Sequence, residues 1–294
     1  MSVAILRYEA RPHPVAAPVA PALERGDGAA EIGFVRRGAE TVLAHLYQRT
    51  PCRVLFPRPA ENEPATAVLL TTSGGLAGGD RLRIAARAGA GTAASLTTQA
   101  AEKIYRSLGP AATIDLALAA EAGSWLEFLP QETILFDGAR LVRRTRHEVA
   151  AGGRLLAGEM LVFGRLARGE RLTRGLVHDA VEVWRDGRLA WVDAMRLDGN
   201  IAARLAAPFA AAGATALATA LYVGADAASL LPAARDCAEA AAGHGGASLV
   251  GGVLIARFIA ADAQRLRADF AAYLGCLRHR AGGLPERAPC AWTM

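Results

Sequence analysis

Residues 74–87 read Gly-Gly-Leu-Ala-Gly-Gly-Asp-Arg-Leu-Arg-Ile-Ala-Ala-Arg, and the residues after the glycines decide the fold. A glycine-rich string that cradles phosphate feeds a helix N-terminus, where free amides and the helix dipole meet the anion. Here the glycines run into alternation instead. Leu82, Ile84 and Ala86 share one face and Arg81 and Arg83 the other, the period of a half-buried strand. The glycines then serve tight turns and close backbone approach. Asp80 stands at the mouth of that strand, as a turn residue or as a polar group lining a cleft.

The same period extends outward. In ATIDLALAA (112–120), Ile114, Leu116 and Leu118 oppose Thr113 and Asp115. In AVEVWRDGRLAWVD (180–193), two strand patterns flank Asp186-Gly187, a hairpin signal. Short strands separated by Gly- and Pro-containing breaks predict a mainly β chain of stacked strands, without a fixed sequence period. Residues 1–30, rich in Pro, Ala and Gly, are expected as a loose extension, with β structure starting at Glu31 and residues 31–294 forming one domain.

Helical signals come late. Ala227–Ala242 is alanine-rich, with Pro232 near its first turn and Gly243 at its end. Over 262–280, Leu266, Phe270, Leu274 and Leu277 form one stripe. Asp262 is placed to cap that helix, Arg278, His279 and Arg280 suit its C-terminal dipole, and Gly282-Gly283 ends it. Between the helices, Ser248–Phe258 reads as one buried strand.

Composition narrows the function classes. With 52% hydrophobic and 21% charged residues the chain can bury a sizeable core. Its net charge of +5 is spread without a basic stripe interleaved with aromatics, so no nucleic-acid partner is expected. Leu205–Ala225 carries no charge and is long enough to span a bilayer, but it is mostly alanine, with Pro208, Gly213 and Gly224, and reads as soluble core; no membrane partner is expected. Nor is the N-terminus a secretory signal. Cys52, Cys237, Cys276 and Cys290 lie far apart with no CxxC spacing. That argues against a zinc site and against a disulfide framework, and points to a reducing cytoplasm.

Catalytic signatures are lacking. The six histidines never pair at metal-binding spacing, and each reads singly as a surface or hydrogen-bonded residue. No GxSxG elbow and no phosphate-loop lysine occurs. Lys103 is the only lysine among many arginines; either codon bias or a need for a compact ammonium accounts for it. Four segments concentrate the remaining polar residues: TTSGGLAGGDRL (71–82), TTQAAEKIYRS (97–107), LPQETILFDGARL (129–141) and GRLARGE (164–170), with Glu159 set between apolar neighbours just before the last. Structurally they are strand ends whose side chains satisfy backbone groups. Functionally they are a polar path through an apolar protein, whose carboxylates offer weak, exchangeable ligands to a divalent cation. A tightly held transition cation would call for imidazole or thiolate, so carboxylates suggest passage rather than storage.

Those four strings, in that order and spacing, resemble the signature segments of the UreD (UreH) family of urease accessory proteins. The terminal Arg287-Ala288-Pro289-Cys290-Ala291-Trp292 resembles the family's C-terminal segment, with Ala288 where arginine is usual; Glu102 likewise replaces a small or hydroxyl residue. The resemblance implies a right-handed helical β-structure with two C-terminal helices and no catalysis by this chain. It implies binding to UreF, recruitment of the GTPase UreG, docking on apo-urease, and UreE as upstream nickel donor. GTP is then used by UreG, and no cofactor is tightly bound here; Ni2+ passes transiently, through an internal polar tunnel. Carried onto this sequence, Asp80 and Glu159 are the tunnel's metal-path candidates, and Gln99, Lys103, Tyr105, Glu132 and Asp137 line or support it. The competing classes are a polysaccharide-acting enzyme using a carboxylate pair such as Glu132 and Asp137, for which 6% aromatics is meagre, and a basic nucleic-acid-binding module.

Overall fold

The computed structural model describes residues 24–241 and 244–292. Its strands are β1 (Asp27–Arg37), β2 (Glu40–Arg49), β3 (Cys52–Leu55), β4 (Ala65–Thr71), β5 (Arg81–Ala88), β6 (Ala93–Thr98), β7 (Glu102–Ile104), β8 (Ala112–Ala120) and β9 (Trp125–Phe128). They continue as β10 (Thr133–Leu135), β11 (Arg140–Val149), β12 (Arg154–Arg165), β13 (Glu170–Arg171), β14 (Arg174–Arg185) and β15 (Arg188–Asn200). A short helix α1 (Ile201–Ala206) precedes β16 (Ala216–Val223), α2 (Ala227–Glu239), β17 (His244–Val250), β18 (Val253–Ala260) and α3 (Ala263–Gly282).

Successive strands join two sheets in turn. One sheet has the order β15-β14-β11-β8-β5-β1-β2; the other runs β17-β18-β16-β12-β9-β6-β4-β3, with β7, β10 and β13 branching from it. The chain passes from β5 to β6, back to β8, across to β9, back to β11 and across to β12. Parallel neighbours within each sheet are therefore one turn apart, and the result is a β-solenoid of about 4 turns. The alternation read from sequence sets the phase. Leu82, Leu116, Leu118 and Leu141 of the first sheet meet Leu96, Leu126, Leu155 and Leu161 of the second in one core.

The second sheet is covered on its outer face as well. Leu266, Phe270, Leu274 and Leu277 of α3 are buried there with Leu156, Met160, Tyr222 and Phe258. That is why β12 reads as a nearly continuous apolar run, buried on both sides. Asp262 caps α3 as expected, accepting from the amides of Gln264 and Arg265, and Gly283 closes it in the left-handed region. The Asp186-Gly187 hairpin is present, both residues at positive φ (50° and 73°), the backbone such a two-residue turn requires.

Four expectations are corrected. Strand structure begins at Asp27, not Glu31. Glu24 to Ala30, assigned from sequence to the extension, are described here, whereas residues 1–23 lie outside the described residues. The Ser248–Phe258 stretch is two strands rather than one, folded at Gly251-Gly252. α2 ends at Glu239, and the expected end at Ala242 and Gly243 lies outside the described residues. Cys237 of α2 and Cys276 of α3 form a disulfide. Spacing rules see only local cysteine pairs, and helix packing joins these two across 39 residues. The cysteine pattern thus gives no argument for a reducing compartment. No described helix is long and apolar enough to cross a membrane, and Leu205–Ala225 divides between the end of α1, a loop and β16.

Candidate functional site

A cavity of about 110 Å3 lies between the two sheets. Apolar walls come from Leu82, Ile84, Leu116, Phe128, Val181 and Trp191. The polar side chains on it are Thr98, Glu102, Gln131, Thr133, Arg143, Thr145, His147, Glu159, Asp193 and Thr219. A second cavity of about 210 Å3 shares Glu159, Val181, Asp193 and Thr219 with the first and adds Asp179 and Arg257. The two cavities adjoin at these shared residues, and the second carries the half-exposed Arg257–Asp193 ion pair.

The phase of β11 supplies one wall. Leu141, Arg143, Thr145, His147 and Val149 are buried and alternate with outward residues. Arg143 to His147 therefore spans about 13 Å of extended chain along the first cavity. Across from it, β12 turns Glu159 inward. The Arg143 guanidinium donates through Nε to Asp179 Oδ1 at 2.9 Å and through Nη2 to Asp179 Oδ2, and Nη2 also forms an ion pair with Glu159. Burial pushes the Glu159 carboxyl up to about 7 and Asp179 and Asp193 add to the rise, while Arg143 opposes it. At the other end, burial raises Glu102 to about 7 against the Thr71 hydroxyl bond and Lys103; its Oε1 has no partner.

His147 differs from the expectation for its kind. It is 2% exposed and its Nδ1 has no hydrogen-bond partner; burial depresses its pKa to about 4. A depressed histidine stabilises the fold above its unfolded pKa near 6.5, and that contribution is lost as pH falls towards 4. Between pH 7 and 4.5, wild type is expected to lose roughly 2–3 kcal/mol more stability than His147→Leu. Parallel urea titrations at the two pH values measure this; equal losses would contradict it.

The sequence candidates separate into groups. Glu159 lines both cavities. Asp80 does not. Its Oδ1 accepts from Gly26 N at 2.8 Å and its Oδ2 from Ala77 N at 2.7 Å, so both oxygens hold the turn before β5. Gln99 and Lys103 are exposed. Tyr105 donates to the Gly74 carbonyl at 2.8 Å and packs edge-on against Phe136. A Cβ at Gly75, where φ is +152°, would lie 2.8 Å from both the Lys103 carbonyl and the Tyr105 ring, the close approach that calls for glycine. Glu132 and Asp137 stand at opposite ends of β10. Glu132 pairs with Arg267, and Asp137 accepts from Thr173 N, Thr173 Oγ1 and Arg174 N. Burial alone would raise the Asp137 pKa, but those hydrogen bonds outweigh it and lower it. The two carboxylates are not brought together for acid–base work.

Glu102, Gln131, Arg143, His147, Asp179 and Asp193 were not among the candidates. Arg143 and His147 carried a readable signal, since both fall, with Thr145, in the buried phase between Leu141 and Val149. Among the described residues no three or more His, Cys, Asp or Glu side chains converge as a metal-binding group; the oxygen donors are instead spread over the two cavities.

Comparison with known proteins agrees with this picture. A family model described as UreD urease accessory protein matches residues 26–293. A urease accessory protein UreD of Magnetococcus marinus is 41% identical over 298 residues, covering 100% of this chain and 99% of that protein. One from Rhodopseudomonas palustris (strain BisA53) is 45% identical over 254 residues, covering 86% and 88%. A urease accessory protein UreD 3 of Bradyrhizobium sp. is 44% identical over 252 residues, covering 86% and 90%. On a match that spans the whole solenoid and α3, the chain belongs to the UreD family of urease accessory proteins.

Proposed function

We propose that this chain is a non-enzymatic scaffold in urease maturation, and that the passage between its sheets carries nickel towards apo-urease. One observation carries the reading: Glu102, Glu159 and Asp193 place carboxylates on two adjoining cavities whose exposed walls are largely apolar. Separated carboxylates bind a borderline cation such as Ni2+ weakly, so it can move from one to the next. Nickel is cargo in this scheme, with no resident metal required.

The relatives' name supplies the destination. In the assembly we propose, UreF binds this chain, UreG joins through UreF and hydrolyses GTP, and UreE hands over the nickel. The solenoid provides the conduit and a rigid body for docking. Co-expression of apo-urease, the other accessory proteins and nickel, with and without this chain, tests the role. Urease activity is expected to depend on the chain; full activity in its absence would remove the proposal.

A further inference from the structure

We propose that the free edge of β2 is a docking surface for a partner protein, which adds an extended segment, apolar in alternation and bearing carboxylates, as a further strand of the first sheet. No residue of β2 lines either cavity between the sheets, so this surface stands whether or not metal moves through them.

The two sheets end in four edge strands, β15 and β2 in the first and β17 and β3 in the second. An edge presents N–H and C=O groups that can pair with another chain, and proteins commonly blunt it. Three of the four are blunted by side chains. Val54 N of β3 donates to Gln48 Oε1 at 2.9 Å. Arg235 Nε donates to the Ala247 carbonyl of β17 at 3.2 Å, and Arg204 Nε to the Asp198 carbonyl of β15 at 3.1 Å. Among the described residues no side chain bonds the backbone of β2, a strand of 10 residues that holds neither proline nor lysine. Its one irregularity is a bulge at Ala44, where Gly33 faces His45 and Phe34 faces Leu43. Beyond the bulge, His45 to Arg49 pairs in regular register, a run long enough to receive a strand.

The side chains suit such an addition. Six of the eleven exposed large hydrophobic residues, Val35, Leu43, Leu46, Tyr47, Leu55 and Phe56, fall between positions 35 and 56. Leu43 and Leu46 lie opposite the buried Phe34 and Ile32. Opposed residues share a face, so both leucines point to the core side. They are nonetheless 38% and 39% exposed, because no strand lies beyond β2 to close that layer.

Charge selects the kind of segment. Residues 35–58 carry five arginines against one glutamate, Glu40. Arg36, Arg37, Arg53 and Arg58 are in no ion pair among the described residues. Two of them bracket the edge: Arg37 opposite Glu40 at one end of β2, and Arg53 bonded to Thr50 Oγ1 at the other. Carboxylates on the incoming segment complement them, whereas like charge disfavours a second copy of the same face. A lipid surface would meet the charge and the apolar patch but leave the edge backbone unpaired.

The probe is a short synthetic peptide alternating isoleucine with glutamate, fluorescently labelled and titrated with the full chain by anisotropy. It is expected to bind at least about tenfold more tightly than the same peptide with lysine for glutamate, or with a central proline that removes a ladder donor. Leu46→Lys, which sets a charge at the edge, is expected to weaken binding at least about tenfold. Arg37→Glu/Arg53→Glu, which leaves the apolar layer intact, is expected to weaken it roughly fivefold and to improve binding of the lysine peptide. No binding of the glutamate peptide, equal binding of the lysine or proline peptide, or full binding by either folded variant would overturn the proposal. A wild-type dimer in light scattering that Leu46→Lys dissolves would give the face to a second copy and overturn it too. Binding to phosphatidylserine vesicles but not to the peptide would give the face to a membrane, with the same consequence.

Discussion

Replacing Arg278 by methionine is expected to cost about 3–5 kcal/mol of stability, the range for stripping one partner from a buried ion pair. Arg278 lies on α3, fully buried, and its Nε meets Glu127 Oε1 at 2.8 Å, Glu127 being fully buried too. Its Nη2 reaches Glu63 and its Nη1 the Arg287 carbonyl, while Trp125 Nε1 donates to the same Glu127 oxygen at 3.0 Å. This knot ties α3 and the C-terminal segment to β9. Without the guanidinium Glu127 is a buried, unpaired carboxylate, and its Oε2 already lacks a partner. Methionine keeps much of the aliphatic stem, so the loss reports the charge rather than the packing. Urea denaturation followed by tryptophan fluorescence measures it. Arg278→Met/Glu127→Leu is expected to recover most of the loss, because an apolar pair of similar size satisfies the pocket. A loss below about 1 kcal/mol, the level of an exposed pair, would show that the pair carries no such weight.

The second large effect is on function. Ala157 of β12 is buried and lines the cavity between Phe128 and Glu159. A phenylalanine there projects its ring into the void without removing a single polar group. Overpacking costs typically 1–3 kcal/mol, and here the ring enters space that is already empty. Ala157→Phe is therefore expected to fold and assemble yet support no more urease activation than a strain without the chain. Ala157→Val, which adds far less bulk, is expected to retain activation. Equal activation by all three proteins would show that nothing passes between the sheets.

Much of the fold was legible because inward and outward residues alternate cleanly on β5, β8 and β11. The coiling of those strands into a solenoid came from the family resemblance instead and is borne out, since period two fixes which side chains share a face but not which strands become neighbours. β1 was entered late because it opens on Gly28, Ala29 and Ala30, small residues that carry little pattern. Their size is a packing requirement: a Cβ at Gly28 would lie 2.8 Å from Leu82. Ser248–Phe258 read as one strand because Gly251-Gly252 sits inside an apolar run, although a Gly-Gly pair flanked by apolar stretches is itself a hairpin signal. For the site, Glu159 stood out as a carboxylate among apolar residues. Asp80 stood out equally, in a glycine-rich turn where carboxylates most often bond backbone amides, and it does so here. Asp179 and Asp193 could not be found from sequence, since their role depends on the pairing of β14 with β11 and of β15 with β14 and on Arg257 of β18.

The most direct test of the passage is the nickel content of urease itself. Apo-urease would be matured with the accessory proteins and nickel in the presence of wild-type chain or Ala157→Phe, then purified and assayed for bound metal, after confirming that each chain co-purifies with its partners. A conduit between the sheets predicts metal-loaded urease with wild type and nearly metal-free urease with Ala157→Phe in an intact assembly. Full nickel loading through the plugged chain would contradict it.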